Sequence, residues 1–280
     1  MNVLMIHGVD TAETDEAFKP WVKAIQDGLD DRTAITNYLN YNDYFNQHIN
    51  HQFYPSILEE FKRDIPERFR KYKDTANCLI ANTLWHEYIK TPPSTQIAGQ
   101  PSPDEKILAK IRWTAVMTAQ WLMEKDIRKN CRDALDSMLH EMKYNFICAH
   151  SLGSLVSYDY LTNDIRGQNG ILQNSVYLTF GSQISFPVVK EIWKDKPNIK
   201  MPKVKQWVNL HNPHDPVFTS SIRVPNSSTF EQLKFTFGRW PFDLSAHNAA
   251  SDGKVSHKGY LDWPVTVNKF WSKQRTKKVS

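Results

Sequence analysis

The chain has 280 residues, 40% of them hydrophobic and 12% aromatic, with a formal net charge of +5. That balance excludes a disordered or fibrous chain and suffices for a substantial core, with one domain over 1–280 the simplest organisation. No apolar run reaches the roughly 20 residues of a membrane helix, MNVLMIHG lacks the layout of a secretory signal, and Cys78, Cys131 and Cys148 stand far apart, which together predict a cytoplasmic protein with no transmembrane segment and no disulfide framework.

Residues 3 to 6, VLMI, form a short apolar run ending at His7-Gly8, the pattern of a buried strand followed by a turn. AFKPWVKAIQDGL then places Phe18, Trp21, Val22, Ile25 and Leu29 at helical spacing, and residues 33 to 41 read as a second strand. The stretch 42–105 is irregular and rich in aromatics, among them Trp85 and Tyr88. It ends in a Pro/Ser/Gly loop at 91–104 and reads as an unrecognised insertion, its aromatics fitting either a lid-like segment or packing against the sheet. Residues 105 to 142 carry a helical pattern too long for one ordinary helix, so a break is expected near Lys125 to Asn130.

A strand over Tyr144 to Ala149, a helix from Leu152 to Asn163, strands at 175–182 and 204–212, an alternating last strand in FEQLKFTFG and a final helix in LDWPVTVNKFW complete the order. Strands alternating with helices argue for an α/β fold with a mostly parallel central sheet flanked by helices on both faces.

The chemistry is concentrated where the third strand meets its helix, at Ala149-His150-Ser151-Leu152-Gly153. A serine in so tight a strand-to-helix turn is driven toward positive φ, at a cost of about 1–3 kcal/mol for a residue other than glycine, and needs small neighbours. Its hydroxyl is thereby held clear of the sheet, beside the N-terminal amides of the helix, where an oxyanion can be stabilised. The plainer reading is a helix N-cap, a position that also favours serine. The pattern is G-x-S-x-G with alanine in place of the first glycine.

With this elbow the chain resembles the α/β-hydrolase superfamily, in particular its lipase- and esterase-like members. Further segments carry the resemblance in order: His7-Gly8-Val9 after the first strand, LTFGSQ after the elbow helix, VNLHNPHDPV ending a strand at Asp215, and SHKGYLDW in a late loop before the last helix. The resemblance implies a Ser151–Asp215–His257 triad in the chain order Ser, Asp, His, with the backbone amides of Val9 and Leu152 as oxyanion donors. His247, in the same late stretch, is the rival to His257.

The implied activity is hydrolysis of a carboxylic ester or thioester through an acyl-enzyme, with a small-molecule or lipid-like acyl substrate and neither metal nor organic cofactor. The same residues also fit an amidase or peptidase, or a non-catalytic hydrolase-like scaffold used for binding or signalling. Part of the basic excess lies in the terminal KQRTKKVS, and no nucleic-acid-binding motif accompanies it, so no nucleic-acid partner is expected.

Overall fold

The computed structural model describes residues 1–8, 15–45, 114, 117–118, 120–122, 124–186, 189, 199–215, 217, 219–238, 244–251 and 258–279. Most of the 42–105 insertion, together with Val9 and His257, lies outside the described residues.

Six strands form one sheet: β1 (Asn2–Ile6), β2 (Ile35–Leu39), β3 (Phe146–His150), β4 (Val176–Phe180), β5 (Gln206–His211) and β6 (Phe230–Lys234). Their order is β2-β1-β3-β4-β5-β6, and every neighbouring pair is parallel. Parallel strands are covered on both faces, which is why β3 and β4 read as continuous apolar runs and are buried at every residue.

Side-chain alternation sorts the strands into two cores. Leu4, Ile6, Ile147, Ala149, Tyr177 and Trp207 pack on one face with α2 (Lys125–Glu141) and α3 (Leu152–Asn163). Val3, Met5, Phe146, Cys148, Leu178, Val208 and Leu210 pack on the other with α1 (Asp15–Leu29) and the C-terminal helical segment. Cys148 is fully buried there, and burial alone pushes its thiol far above the usual range, so it is inert packing.

The expected break in the long helical stretch falls at Glu124, whose extended backbone precedes α2. The helix α3 is buried at every residue from Leu152 to Leu161. Its polar side chains find partners inside: Ser157 Oγ donates to the Gly153 carbonyl, and Arg132 donates to Asp159. After a short helix α4 (Ile165–Gln168), the chain enters β4.

The C-terminal segment begins as α5 (Pro264–Thr266), with proline in its first turn, passes through a π-helical stretch at Val267–Trp271, and continues as α6 (Ser272–Val279). Its Arg275 donates to the carbonyls of Asp27 and Gly28 at the C-terminal end of α1, so this member of the basic tail is a helix cap.

Candidate functional site

In this order β1 leads to β2 on one side, whereas β3 leads to β4 on the other. The crevice between the C-terminal ends of β1 and β3 is therefore a topological switch point, the place where open parallel sheets bind ligands. Gly8 follows β1 and Ser151 follows β3 at that crevice.

Ser151 has φ 51° and ψ −124°, and its side chain makes no N-cap hydrogen bond. It is 1% exposed, and its Oγ has no hydrogen-bond partner among the described residues. The turn is held by its main chain instead: the Ser151 N–H donates to the Phe180 carbonyl at 3.0 Å, and Ser154 Oγ donates to the Ser151 carbonyl at 2.6 Å. The structure thus lacks the bond that would define a serine N-cap and has the positive φ expected of so tight a strand-to-helix turn.

The small residues are required by contact. A Cβ on Gly153 would lie 2.3 Å from the His7 carbonyl oxygen, so only glycine lets the first turn of α3 press against the end of β1. A Cβ on Gly8 would lie 2.6 Å from Ser151 Cβ and 3.2 Å from Ser151 Oγ. We expect Gly8→Ala to slow reaction of Ser151 with an active-site-directed fluorophosphonate by about a hundredfold, since displacements of about 1 Å have effects of that size. Unchanged labelling kinetics would show that the hydroxyl is not confined there.

His7 is buried, and its Nδ1 lies 2.5 Å from the Gly8 carbonyl oxygen, which can only accept, so Nδ1 carries the proton. The ring stacks on Tyr41 at 4.4 Å, and Tyr41 Oη donates to the His7 carbonyl. Desolvation lowers its pKa to about 4, partly opposed by the bond to Gly8. A histidine neutral in the fold but protonated when unfolded contributes stability above pH 6.5 that is lost as pH falls toward 4. The full loss is roughly 3 kcal/mol. His7→Gln should flatten the fall of Tm between pH 6.5 and 4, as calorimetry would read.

Asp215 and His247 form the second half of the site. Asn212 and Asp215 close a turn after β5, with the Asp215 N–H donating to the Asn212 carbonyl at 3.1 Å. Asp215 Oδ1 accepts from the Val217 N–H at 2.9 Å, and Oδ2 accepts from His247 Nδ1 at 2.7 Å. Because the carboxylate accepts, the His247 proton resides on Nδ1 and the Nε2 lone pair is left for a proton from elsewhere. The side chains of Asp215 and His247 are 0% and 7% exposed.

His247 ends a short 3₁₀ turn, Leu244–His247. Four consecutive carbonyls there are each tied to a different group. Ala246 accepts from Asn212 Nδ2 at 3.0 Å, and His247 accepts from His150 Nε2 at 2.8 Å. Asn248 and Ala249 accept from the N–H groups of Tyr260 and Leu261 at 2.9 and 2.8 Å.

His150, the residue before Ser151, thus joins the serine turn to the histidine loop, and its ring lies 4.4 Å from that of His247. Between them sits Gly181, at φ 55°, where a Cβ would be 2.9 Å from His247 Cε1 and 3.1 Å from His150. The glycine of LTFGSQ is needed for both its φ and its lack of a side chain.

Of the residues singled out in the sequence, Ser151, Leu152, Asp215 and His247 stand in this region, Leu152 opening α3 directly after the serine. The carboxylate of Asp215 is joined to His247. Asn212, His150 and Tyr260 were not among the anticipated site residues. Asn212-Pro213 does carry the signal of a turn, but nothing local ties it to residue 246.

Among the described residues no group of three or more His, Cys, Asp or Glu is placed to hold a metal ion. No described helix is long and apolar enough to cross a membrane. Comparison with protein-family models, curated proteins and solved structures finds no match for this chain.

Proposed function

We propose that the protein is a serine hydrolase of the α/β-hydrolase type, cleaving a carboxylic ester or thioester through an acyl-enzyme. One observation carries the reading: a buried serine at positive φ on the switch point, tethered through His150 to a buried Asp215–His247 pair. The all-parallel order β2-β1-β3-β4-β5-β6 is compatible with it.

In this reading His247 Nε2 takes the Ser151 proton as Oγ attacks the acyl carbon. Asp215 holds the imidazole tautomer and stabilises the imidazolium. The Leu152 N–H, at the first turn of α3, is one donor to the tetrahedral oxyanion, and the Val9 N–H is the second by the family resemblance. His247 then returns the proton to the leaving alcohol or thiol, and the acyl-enzyme forms. Water, deprotonated by His247, attacks the acyl-enzyme, and the proton passes back to Ser151 as the acid is released.

The test is a fluorophosphonate adduct mapped by peptide mass to Ser151, paired with turnover of matched acyl ester, thioester and amide substrates. A folded protein inert to the probe and to all three substrates would favour a binding scaffold. Faster turnover of the amide would reassign it as an amidase.

A further inference from the structure

Asp215 Oδ2 has a second donor. The phenol of Tyr260 lies 2.8 Å from it, so one carboxylate oxygen serves both the imidazole and a tyrosine. Tyr260 is fully buried and ringed by Phe180, Phe235 and Phe237, with centroids at 6.0, 5.9 and 5.2 Å. Its N–H is bonded to Asn248, the residue after His247. The segment is pinned again by Asp262, whose carboxylate accepts from the N–H groups of Gly259 and Ser251 at 2.7 and 3.1 Å. A Cβ on Gly259 would lie 2.4 Å from the Ala250 nitrogen, so this close approach requires glycine.

The phenol is therefore fixed on the carboxylate by the same backbone ties that fix the histidine loop. Desolvation, reinforced by the charge of Asp215 and the hydrogen bond to it, holds the Tyr260 pKa well above 10, while the backbone of Asn212 and Gly181 pulls the other way. The hydroxyl thus stays a donor throughout the working range.

We infer that Tyr260 is a positioning residue that sets the basicity of His247 by sharing the carboxylate oxygen that His247 uses. A buried carboxylate such as that of Asp215 needs donors to stay ionised. Each donor also draws charge from the oxygen that would stabilise an imidazolium. Loss of the phenol would therefore leave more of the carboxylate's charge to the imidazole, which is the effect the experiment reads. This inference rests on the Ser151–His247–Asp215 reading above for its catalytic consequence, but the shared oxygen can be tested without catalysis.

The experiment uses the full chain with isotopically labelled histidine. His247 is assigned as the NMR signal lost in His247→Gln, and its titration is followed in wild type and in Tyr260→Phe, which keeps the ring and removes only the hydroxyl. The His247 midpoint should rise by about one pH unit, the scale on which a hydrogen bond to a charged group acts. The acid limb of fluorophosphonate labelling should rise with it, leaving the plateau rate within about threefold.

Among the described residues, the other titratable groups near this pair are His150, bonded to the His247 carbonyl, His214, beside Asp215, and Asp262. Residue-specific detection separates their titrations from that of His247. Should Tyr260→Phe not fold, a ring-fluorinated tyrosine at position 260, a stronger donor of nearly the same shape, should move the midpoint down. A His247 midpoint unmoved by either change would reduce Tyr260 to packing and overturn the inference. Absence of labelling in the wild type, with the NMR shift present, would instead sink the hydrolase reading alone.

Discussion

On the proposed hydrolase reading, Ser151→Ala should abolish fluorophosphonate labelling and lower ester turnover by about 10⁴–10⁶-fold, the range expected when the nucleophile of such a constellation is removed. Its stability is the more discriminating half of the result. Ser151 Oγ has no hydrogen-bond partner among the described residues and makes no N-cap bond, so its removal leaves no described partner unsatisfied. Tm should stay within about a degree of wild type, whereas loss of a working N-cap destabilises by about 1 kcal/mol. Ser151→Gly should be inactive and more stable, because glycine relieves a φ of 51° that costs other residues about 1–3 kcal/mol. An inactive but stabilised variant marks strain kept for chemistry; retained labelling in Ser151→Ala removes the serine from the mechanism.

The second large effect separates the two histidines of the late stretch. His247→Gln is expected to lower turnover by about 10⁴–10⁶-fold, because it removes the one imidazole bonded to Asp215 among the described residues. Asp215→Asn should fall by about 10⁴-fold, since an amide in that place can turn the imidazole to the wrong tautomer. His257→Gln, at the position the family pattern suggested, should remain within about tenfold of wild type. The measurement is kcat/KM on the best ester from the substrate comparison, with circular dichroism establishing that each variant is folded. If His257→Gln is the silent enzyme and His247→Gln the active one, the base is His257 and the Asp215–His247 bond is structural.

The contrast between these histidines shows where sequence reading succeeds. The strands were legible because both faces of a parallel sheet are covered, turning β1, β3 and β4 into unbroken apolar runs. The serine was legible because its turn imposes demands on adjacent positions: small residues at 149 and 153, and the glycine of HG across the crevice. Asp215 was legible through Asp-Pro at a strand end.

The histidine bonded to Asp215 had no such local signature. His247 and His257 are ten positions apart in the sequence, and among the described residues His247 is picked out only by pairing across more than thirty residues, to Asp215 and to the end of β3. Tyr260 illustrates the same limit. The SHKGYLDW segment attracted attention for its histidine, yet its described contribution to Asp215 is a phenol. Only the fold brings residue 260 to residue 215, and no periodicity encodes that distance.

The four tethered carbonyls from Ala246 to Ala249 have a mechanical consequence. A stretch of main chain anchored at successive peptide groups by β5, β3 and the segment at 260 has no rigid-body freedom left to it. His247 cannot approach the serine by loop closure without breaking several bonds together, and swinging its ring would forfeit Asp215. The remaining soft coordinate is the single Cα–Cβ torsion of Ser151, whose hydroxyl is not tied down among the described residues. On the hydrolase reading, the histidine loop is therefore held in place by its own backbone ties rather than by a bound substrate.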